Sequence, residues 1–329
     1  MTRSLLGLVA RGARAVEAFW MVPQPLHGLV AARVLLGLTL FSTYAGRVTR
    51  VQEYFGPGGF AGSGFYARNP GADPLDPFVA APLRLLTGVS SEVVVAAAFA
   101  AAVLASLAFA AGAWTRVSGA ILLGLHLLFY ARNGFAWDGS WAGYVVAPLA
   151  YTIIAPTGRF VSIDAWRRRR AAGRSAADPP SWLAPGWPLR LLQIHTCAMY
   201  LAAGLSRVDK PSWIHGDMVY VAMTGMTHSR LGIDWTPFRE VFMLGSWAAL
   251  ALEALAPVLL WIPGLGVVWA LGLVAMHLTL EALTNVGHWS HVMIAGLMAF
   301  ILPWPGRWSG RWSGRWPGRW PGRWRRSGR

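Results

Sequence analysis

Charged residues are scarce in this chain. Asp, Glu, Lys and Arg make up 13% of its 329 residues, whereas roughly 25% is usual in a soluble domain. Acidic residues are the scarcest, with 14 Asp and Glu against 29 Lys and Arg, which gives a formal net charge of +15. Apolar residues make up 55%. This composition excludes an ordinary soluble enzyme and a disordered chain, and it favours a membrane protein with basic flanks.

Cysteine is nearly absent, because Cys197 is the one residue of this type. A single cysteine excludes an intramolecular disulfide and a cysteine-based metal site. The residue lies inside an apolar stretch, which is typical of a buried structural thiol. A secreted scaffold held together by disulfides is therefore excluded as well.

Long apolar runs are abundant, and they predict an all-α, polytopic transmembrane helical bundle of about eight spans. The predicted spans are 26–44, 93–113, 117–130, 141–155, 191–205, 241–262, 265–283 and 291–302. Lys and Arg are concentrated in the connections on one side of these spans. The positive-inside rule therefore predicts that both termini are cytoplasmic and that the protein is a multi-pass protein of the plasma membrane. The bundle itself shows no internal sequence repeat, which disfavours a transporter.

Both ends of the chain are basic and aromatic. Residues 1–22 place apolar side chains among arginines and predict an amphipathic helix on the membrane surface. The bundle is predicted for 23–303. Residues 304–329 contain five Gly-Arg-Trp units, which predict a tail that is disordered in water. Its alternating Arg and Trp favour contact with anionic lipid. A repeat without function is the first alternative to lipid contact, and nucleic-acid binding is the less favoured one.

Charged and imidazole side chains within the spans are candidates for function, because they are costly in a bilayer. Arg33 and Glu253 are the deepest charges, and we expect them to be structural, paired with each other or with backbone carbonyl groups. His126 and His195 are single imidazoles on apolar faces. Core histidines with satisfied hydrogen bonds are the simplest interpretation of both, and His195 is kept as a candidate substrate contact.

A dense polar cluster lies late in the chain. His277 and Glu281 are four residues apart and share a helix face, and His288 and His291 follow at the turn into the last span. Three histidines and a carboxylate could bind zinc or iron. The His-Glu-x-x-His order is absent, however, so we predict no metal site and favour a hydrogen-bonded network or a ligand-binding role.

A second polar cluster follows the span 191–205 and contains Arg207 and Trp213. Spans five and seven are predicted to run in the same direction. Arg207 and His277 are therefore expected at the same face of the bundle, although they are far apart in sequence. This convergence predicts a functional site there.

These two stretches also carry a resemblance to a known family. Residues 193–216 read Gln-Ile-His, then Tyr-x3-Gly-x2-Arg-x-Asp, then Trp-x2-Gly, and 277–293 contain His-Leu, Val-Gly-His-Trp-Ser and Val-Met. Over about residues 20–303 the chain resembles bacterial members of the HTTM domain family. This domain is the membrane part of vitamin K-dependent gamma-carboxylase.

The resemblance implies a lipid-soluble quinone, such as reduced vitamin K or menaquinone, as a cofactor. In the carboxylase, reduced vitamin K is deprotonated and reacts with oxygen, and the strong base that results removes a proton from glutamate. The lysine implicated in the first step aligns here with Ser206 or Arg207. Arginine stays protonated and cannot readily act as that base, so we do not expect glutamate carboxylation itself.

Two hypotheses follow from these observations. In the first, His277 carries a proton and Arg207 steadies an anionic group, which makes them the candidate catalytic residues of a carboxylase-like enzyme or quinone-binding protein. The candidate substrate-binding residues are Trp213, Glu281, His288, Trp289, His291 and His195. In the second, the chain is a non-catalytic membrane partner or maturation factor for an exported peptide, as the resemblance to HTTM members linked to toxin export implies.

Overall fold

The fold is described by a computed structural model for residues 2–60, 89–137, 141–172, 182–225, 228–285 and 287–302, with side chains from residue 11 onward. The helices are α1 (Thr2–Met21), α2 (His27–Ala45), α3 (Val51–Phe55), α4 (Glu92–Ala111), α5 (Thr115–Arg132), α6 (Trp141–Tyr144), α7 (Val146–Ile154), α8 (Ile163–Ala171), α9 (Trp187–Leu205), α10 (Pro211–Ile214), α11 (Asp217–Thr224), α12 (Arg239–Leu259), α13 (Leu265–Leu283) and α14 (Trp289–Ile301). Single 3-10 turns cover Val48–Arg50, Gly134–Ala136, Thr157–Arg159 and Thr236–Phe238. Two short strands, β1 (Gln24–Pro25) and β2 (Leu183–Ala184), pair antiparallel.

The prediction of an all-α transmembrane bundle is confirmed. Four helical segments are long and apolar enough to cross a bilayer, namely His27–Ala45, Glu92–Ala111, Thr236–Leu259 and Leu265–Leu283. The predicted count of eight spans is not confirmed. Trp141–Ile154 and Trp289–Ile301 are apolar but shorter, while α5 and α9 carry arginine, histidine and glutamine among their apolar residues.

The helices form two halves with the same order of packing. In the first half α2 packs on α4, α4 on α5 and α5 on α7; in the second half α9 packs on α12, α12 on α13 and α13 on α14. The last helix of each half also packs on the first helices of both halves, so α7 and α14 join the two. The paired strands β1 and β2 immediately precede α2 and α9. The structure thus contains an internal repeat that the sequence of the bundle did not reveal.

Close approach of two backbones fixes the first helix of each half against the second. A Cβ atom added to Gly37 would lie 2.8 Å from the Cα atom of Ala110, and one added to Gly204 would lie 2.8 Å from the Cα atom of Ala254. Small residues allow such packing in membrane helices, where close van der Waals contact replaces the hydrophobic effect.

The second of these contacts also fixes the position of the loop after α9. Gly204 lies near the end of α9, whereas Ala254 lies in the last third of α12. The short helices α10 and α11 then pack along α12, where the Trp247 Nε1 donates to the Ile214 carbonyl at 2.9 Å. Residues 206–216 therefore lie alongside α12 rather than beyond its end.

Apolar side chains form two core clusters. The larger one joins the first half to residues of α9 and α14, the smaller one lies within the second half, and Trp289 packs against both. The core of the first half is rich in aromatic rings, with Tyr44, Phe55, Phe99 and Phe129 in mutual contact. Helix α1 joins the bundle through α9, where the Arg190 guanidinium lies 4.8 Å from the Phe19 ring centroid. The boundaries 1–22, 23–303 and 304–329 remain predictions, and the tail lies outside the described residues.

A carboxylate caps the start of α5. The Asp164 carboxylate accepts hydrogen bonds from the Trp114 N–H (2.8 Å), the Thr115 N–H (2.8 Å) and the Thr115 hydroxyl (2.7 Å). Partial burial raises the pKa of Asp164, but these hydrogen bonds and the charge of Arg168 outweigh it, so the pKa lies below its ordinary value of 3.8. An anion at a helix N-terminus also interacts favourably with the helix dipole.

We predict that Asp164→Asn lowers the free energy of unfolding by about 1–2 kcal/mol at neutral pH. A group with a lowered native pKa stabilises the fold above its ordinary pKa, and this contribution is lost as the pH falls through the native pKa. The difference between wild type and variant should therefore shrink below pH 3.8. Thermal unfolding in detergent between neutral and acidic pH measures it, and exposed Asp209→Asn is the control. A difference that stays constant with pH would contradict the prediction.

Candidate functional site

A buried tyrosine–histidine pair joins the first and third helices of the second half. The Tyr200 hydroxyl on α9 lies 2.9 Å from the His277 Nε2 on α13. Tyr200 is 0% exposed and His277 is 1% exposed. The other ring nitrogen of His277, Nδ1, is also buried and has no hydrogen-bond partner among the described residues. His277 therefore retains one buried polar atom without a partner in the described part of the chain.

The first half contains a pair of the same kind, with a different outcome. The Tyr44 hydroxyl on α2 lies 3.1 Å from the His126 Nδ1 on α5, and the His126 Nε2 lies 2.8 Å from the Ala142 carbonyl oxygen. Both nitrogens of His126 are thus satisfied, and aromatic rings that include Trp137 surround it. This arrangement is structural. His126 therefore differs from His277, whose Nδ1 has no partner among the described residues.

An ion pair lies just after the end of α9, the helix that carries Tyr200. Arg207, two residues after α9, pairs with Glu253 on α12. The Arg207 guanidinium also lies 4.6 Å from the ring centroid of Trp213, a cation–π contact. The structure therefore contains two contact groups on α9 and the residues that follow it, Tyr200 with His277 and Arg207 with Glu253 and Trp213.

Glu281 lies elsewhere, although it is on the same helix as His277. Its carboxylate pairs with Arg230 at 3.0 Å, and the Arg230 Nε donates to the Asn285 side-chain oxygen at 3.2 Å. The backbone of this connection also bridges Ser229 to Thr284. Glu281 thus fastens the loop after α11 to the end of α13.

The remaining candidate residues face the first half. The His288 Nε2 lies 3.4 Å from the Ser42 hydroxyl oxygen, and the His288 ring lies 5.1 Å from that of Trp141 and 5.6 Å from that of His291. The Trp289 ring lies 5.0 Å from that of Tyr144, and the His195 ring lies 5.9 Å from that of Tyr151 on α7. These four candidates lie where the halves meet, so the late sequence cluster divides between two places.

Arg33 and Glu253 do not pair with each other. Arg33 is 1% exposed and donates to the carbonyl oxygens of Thr157 (2.9 Å), Val161 (2.8 Å) and Ala110 (3.4 Å). It therefore fastens the segment after α7 to α2 and α4. Glu253 pairs with Arg207 instead, so one intramembrane charge lies in a structural cluster and the other in the candidate site.

Comparison with known proteins identifies the family. The family model described as HTTM domain matches residues 78–304. The chain belongs to the HTTM domain family. No curated protein and no solved structure matches it. The family and the apolar helices together identify a membrane protein.

The match of the HTTM domain includes all the residues of both polar clusters and excludes α1, α2 and α3. Within the described residues of this HTTM protein, no group of three or more His, Cys, Asp or Glu is placed to hold a metal ion. Three cavities are described, and their lining residues come from other regions. They lie between the α5 start and α8, between α9 and the α12–α13 turn, and in the loop around Arg230.

Tyr200 was not predicted from the sequence as a site residue, although it belongs to the motif that carries the family resemblance. The available signal was its spacing, since Tyr200 precedes Arg207 by seven residues in the stretch that carries the resemblance. Nothing in the sequence indicated that Tyr200 would contact His277, because 77 residues separate them. Arg230, which holds Glu281, was missed for the same reason.

Proposed function

We propose that this HTTM protein binds a lipid-soluble quinone, or its reduced form, at the site formed by Arg207, Tyr200, His277 and Trp213. The single observation that carries the proposal is the orphaned, buried Nδ1 of His277. Buried polar atoms in native proteins are nearly always hydrogen-bonded, so such an atom requires an explanation. A ligand oxygen would supply the missing partner.

The side chains present suit a ligand with oxygen atoms on an aromatic ring. When Tyr200 donates to the His277 Nε2, the Nδ1 carries the ring hydrogen and can donate it to a ligand oxygen. In the other tautomer the Nδ1 has a lone pair and can accept a proton. Arg207 can bind an anionic oxygen, and the indole of Trp213 provides a flat apolar surface.

A bound reduced quinone supplies dissociable hydroxyl protons and two-electron redox chemistry. The chain's part is to hold the ring, to bind an oxyanion with Arg207 and to move a proton at the His277 Nδ1. Arg207 stays protonated and does not act as the base. The proposal is therefore quinone binding with proton transfer at the His277 Nδ1, and it does not include glutamate carboxylation.

The test is binding of menaquinone to the full chain purified in detergent. We expect Arg207→Ala and His277→Ala each to weaken binding at least about tenfold, which corresponds to about 1.4 kcal/mol. His126→Ala is the matched control, because it also breaks a buried tyrosine–histidine pair but removes no orphaned atom. Its affinity should stay within about twofold of the wild type. Equal losses in His277→Ala and His126→Ala would contradict the proposal.

A second candidate function is that of a non-catalytic membrane partner or maturation factor for an exported peptide. One observation favours it: Tyr200 and His277 are almost completely enclosed by the packed core. A purely structural pair would need no access for a ligand. Absence of quinone binding by a folded wild-type protein would favour this function over the first.

A further inference from the structure

A cavity of about 410 Å³ lies at the arginine-rich end of the first half, far along the sequence from the candidate quinone site. It opens between the start of α5 and the segment that runs from the end of α7 into α8. Three guanidinium-bearing residues line it, Arg116, Arg159 and Arg168. Its size lies in the range of about 300–1,000 Å³ that is usual for ligand pockets.

The charges that line this cavity do not balance. Asp164 is the one carboxylate of the lining residues, and its oxygens already accept hydrogen bonds from Trp114 and Thr115. Within the described part of the chain, neither Arg116 nor Arg159 forms an ion pair. The cavity therefore presents unneutralised positive charge, which suits an anion with several oxygen atoms.

The surface beside the cavity is apolar. Trp114 at the start of α5 is 66% exposed, and Val117 and Ile121, one turn apart on α5, are also exposed. Such a stripe suits acyl chains, and a tryptophan beside it is typical of the bilayer interface. An anion that carries acyl chains fits both features, whereas a free anion would use only the first.

We propose that this cavity binds the phosphate group of an anionic phospholipid, with the acyl chains along the exposed face of α5. Arg116, Arg159 and Arg168 lie in the connections predicted to be cytoplasmic, and the cytoplasmic leaflet carries anionic lipids. None of the lining residues belongs to the Gly-Arg-Trp units, and the proposal does not depend on the proposed quinone function.

The test compares lipids with identical acyl chains added to the full chain in detergent. A ligand that binds the native state raises the melting temperature. We expect phosphatidylglycerol to raise it more than phosphatidylcholine, whose choline group is repelled by the arginines. The double variant Arg116→Gln with Arg159→Gln should lose more than half of the phosphatidylglycerol shift. The single variant Arg159→Gln should lose part of the phosphatidylglycerol shift, and it replaces the double variant in the test if the double variant does not fold.

The matched control is the double variant Arg169→Gln with Arg170→Gln. It removes two positive charges, as the test variant does, but it removes them from α8 at positions that do not line the cavity. It should keep the full shift. Equal losses in the two double variants would overturn the proposal, because they would indicate general attraction to a basic surface. A shift produced by inorganic phosphate alone, without a larger one from the lipid, would also overturn it in favour of a free anion.

Discussion

Replacing Glu253 with glutamine should lower the free energy of unfolding by about 3 kcal/mol. The side chain of Glu253 is 6% exposed, and that of its partner Arg207 is 27% exposed. Removing the carboxylate leaves the guanidinium partly desolvated and without its counter-charge. Loss of one partner from a buried ion pair costs more than loss of both, because the remaining charge has no compensation.

Equilibrium unfolding in detergent of Glu253→Gln, Arg207→Gln and the double variant measures this effect. The double variant should be more stable than Glu253→Gln alone. Glu281→Gln is the matched control, since its pair with Arg230 is more exposed and should be worth less than about 1 kcal/mol. If Glu253→Gln costs no more than Glu281→Gln, the two pairs are equivalent and the buried ion pair contributes little.

The sequence predicted those features of the fold that depend on local pattern. The apolar runs that begin near 26, 93, 241 and 265 are helices long enough for a bilayer, because twenty apolar residues have few alternatives in lipid. The internal repeat was not predictable in this way. Corresponding helices of the two halves share their packing order and one tyrosine–histidine pair, and this similarity becomes visible only in three dimensions.

The candidate site was predictable in part. His277 does contact the helix that leads to Arg207, because its Nε2 lies 2.9 Å from the hydroxyl group of Tyr200. Helical spacing nevertheless placed Glu281 with His277, whereas Arg230 holds Glu281 at the loop. Spacing along one helix predicts which residues share a helix face. It does not predict which other segment packs against each residue on that face. His288 faces the first half for the same reason, since its partners Ser42 and Trp141 lie far from it in sequence.

The histidines show most clearly what a structure adds. His126 and His277 are both single imidazoles within apolar helices, and the sequence alone does not separate their roles. Hydrogen bonding separates them, because both nitrogens of His126 have partners and one nitrogen of His277 has none. The carbonyl group of Ala142 in α6 is the second partner of His126, and His277 has no equivalent within the described residues. The position of this carbonyl group depends on both halves, because α6 packs on α7 and on α14.

Arg33→Leu should lower the free energy of unfolding by about 4 kcal/mol, since each buried carbonyl left without a donor costs about 1–3 kcal/mol. Arg33 donates to three carbonyl groups, and two of them, on Thr157 and Val161, lie in the segment between α7 and α8. Arg33→Lys should recover only part of the loss. A single ammonium cannot reproduce the fork of the guanidinium.

The loss should be concentrated in that segment, because local stability follows local hydrogen bonding. Trypsin should therefore cleave after Arg159 faster in Arg33→Leu than in wild type under conditions where the bundle stays folded. Exposed Arg169→Leu is the control and should change neither the unfolding free energy nor the cleavage rate at Arg159. A variant that unfolds at lower temperature without faster cleavage there would show that Arg33 stabilises the bundle as a whole. In that case the three carbonyl contacts would not be the source of its effect.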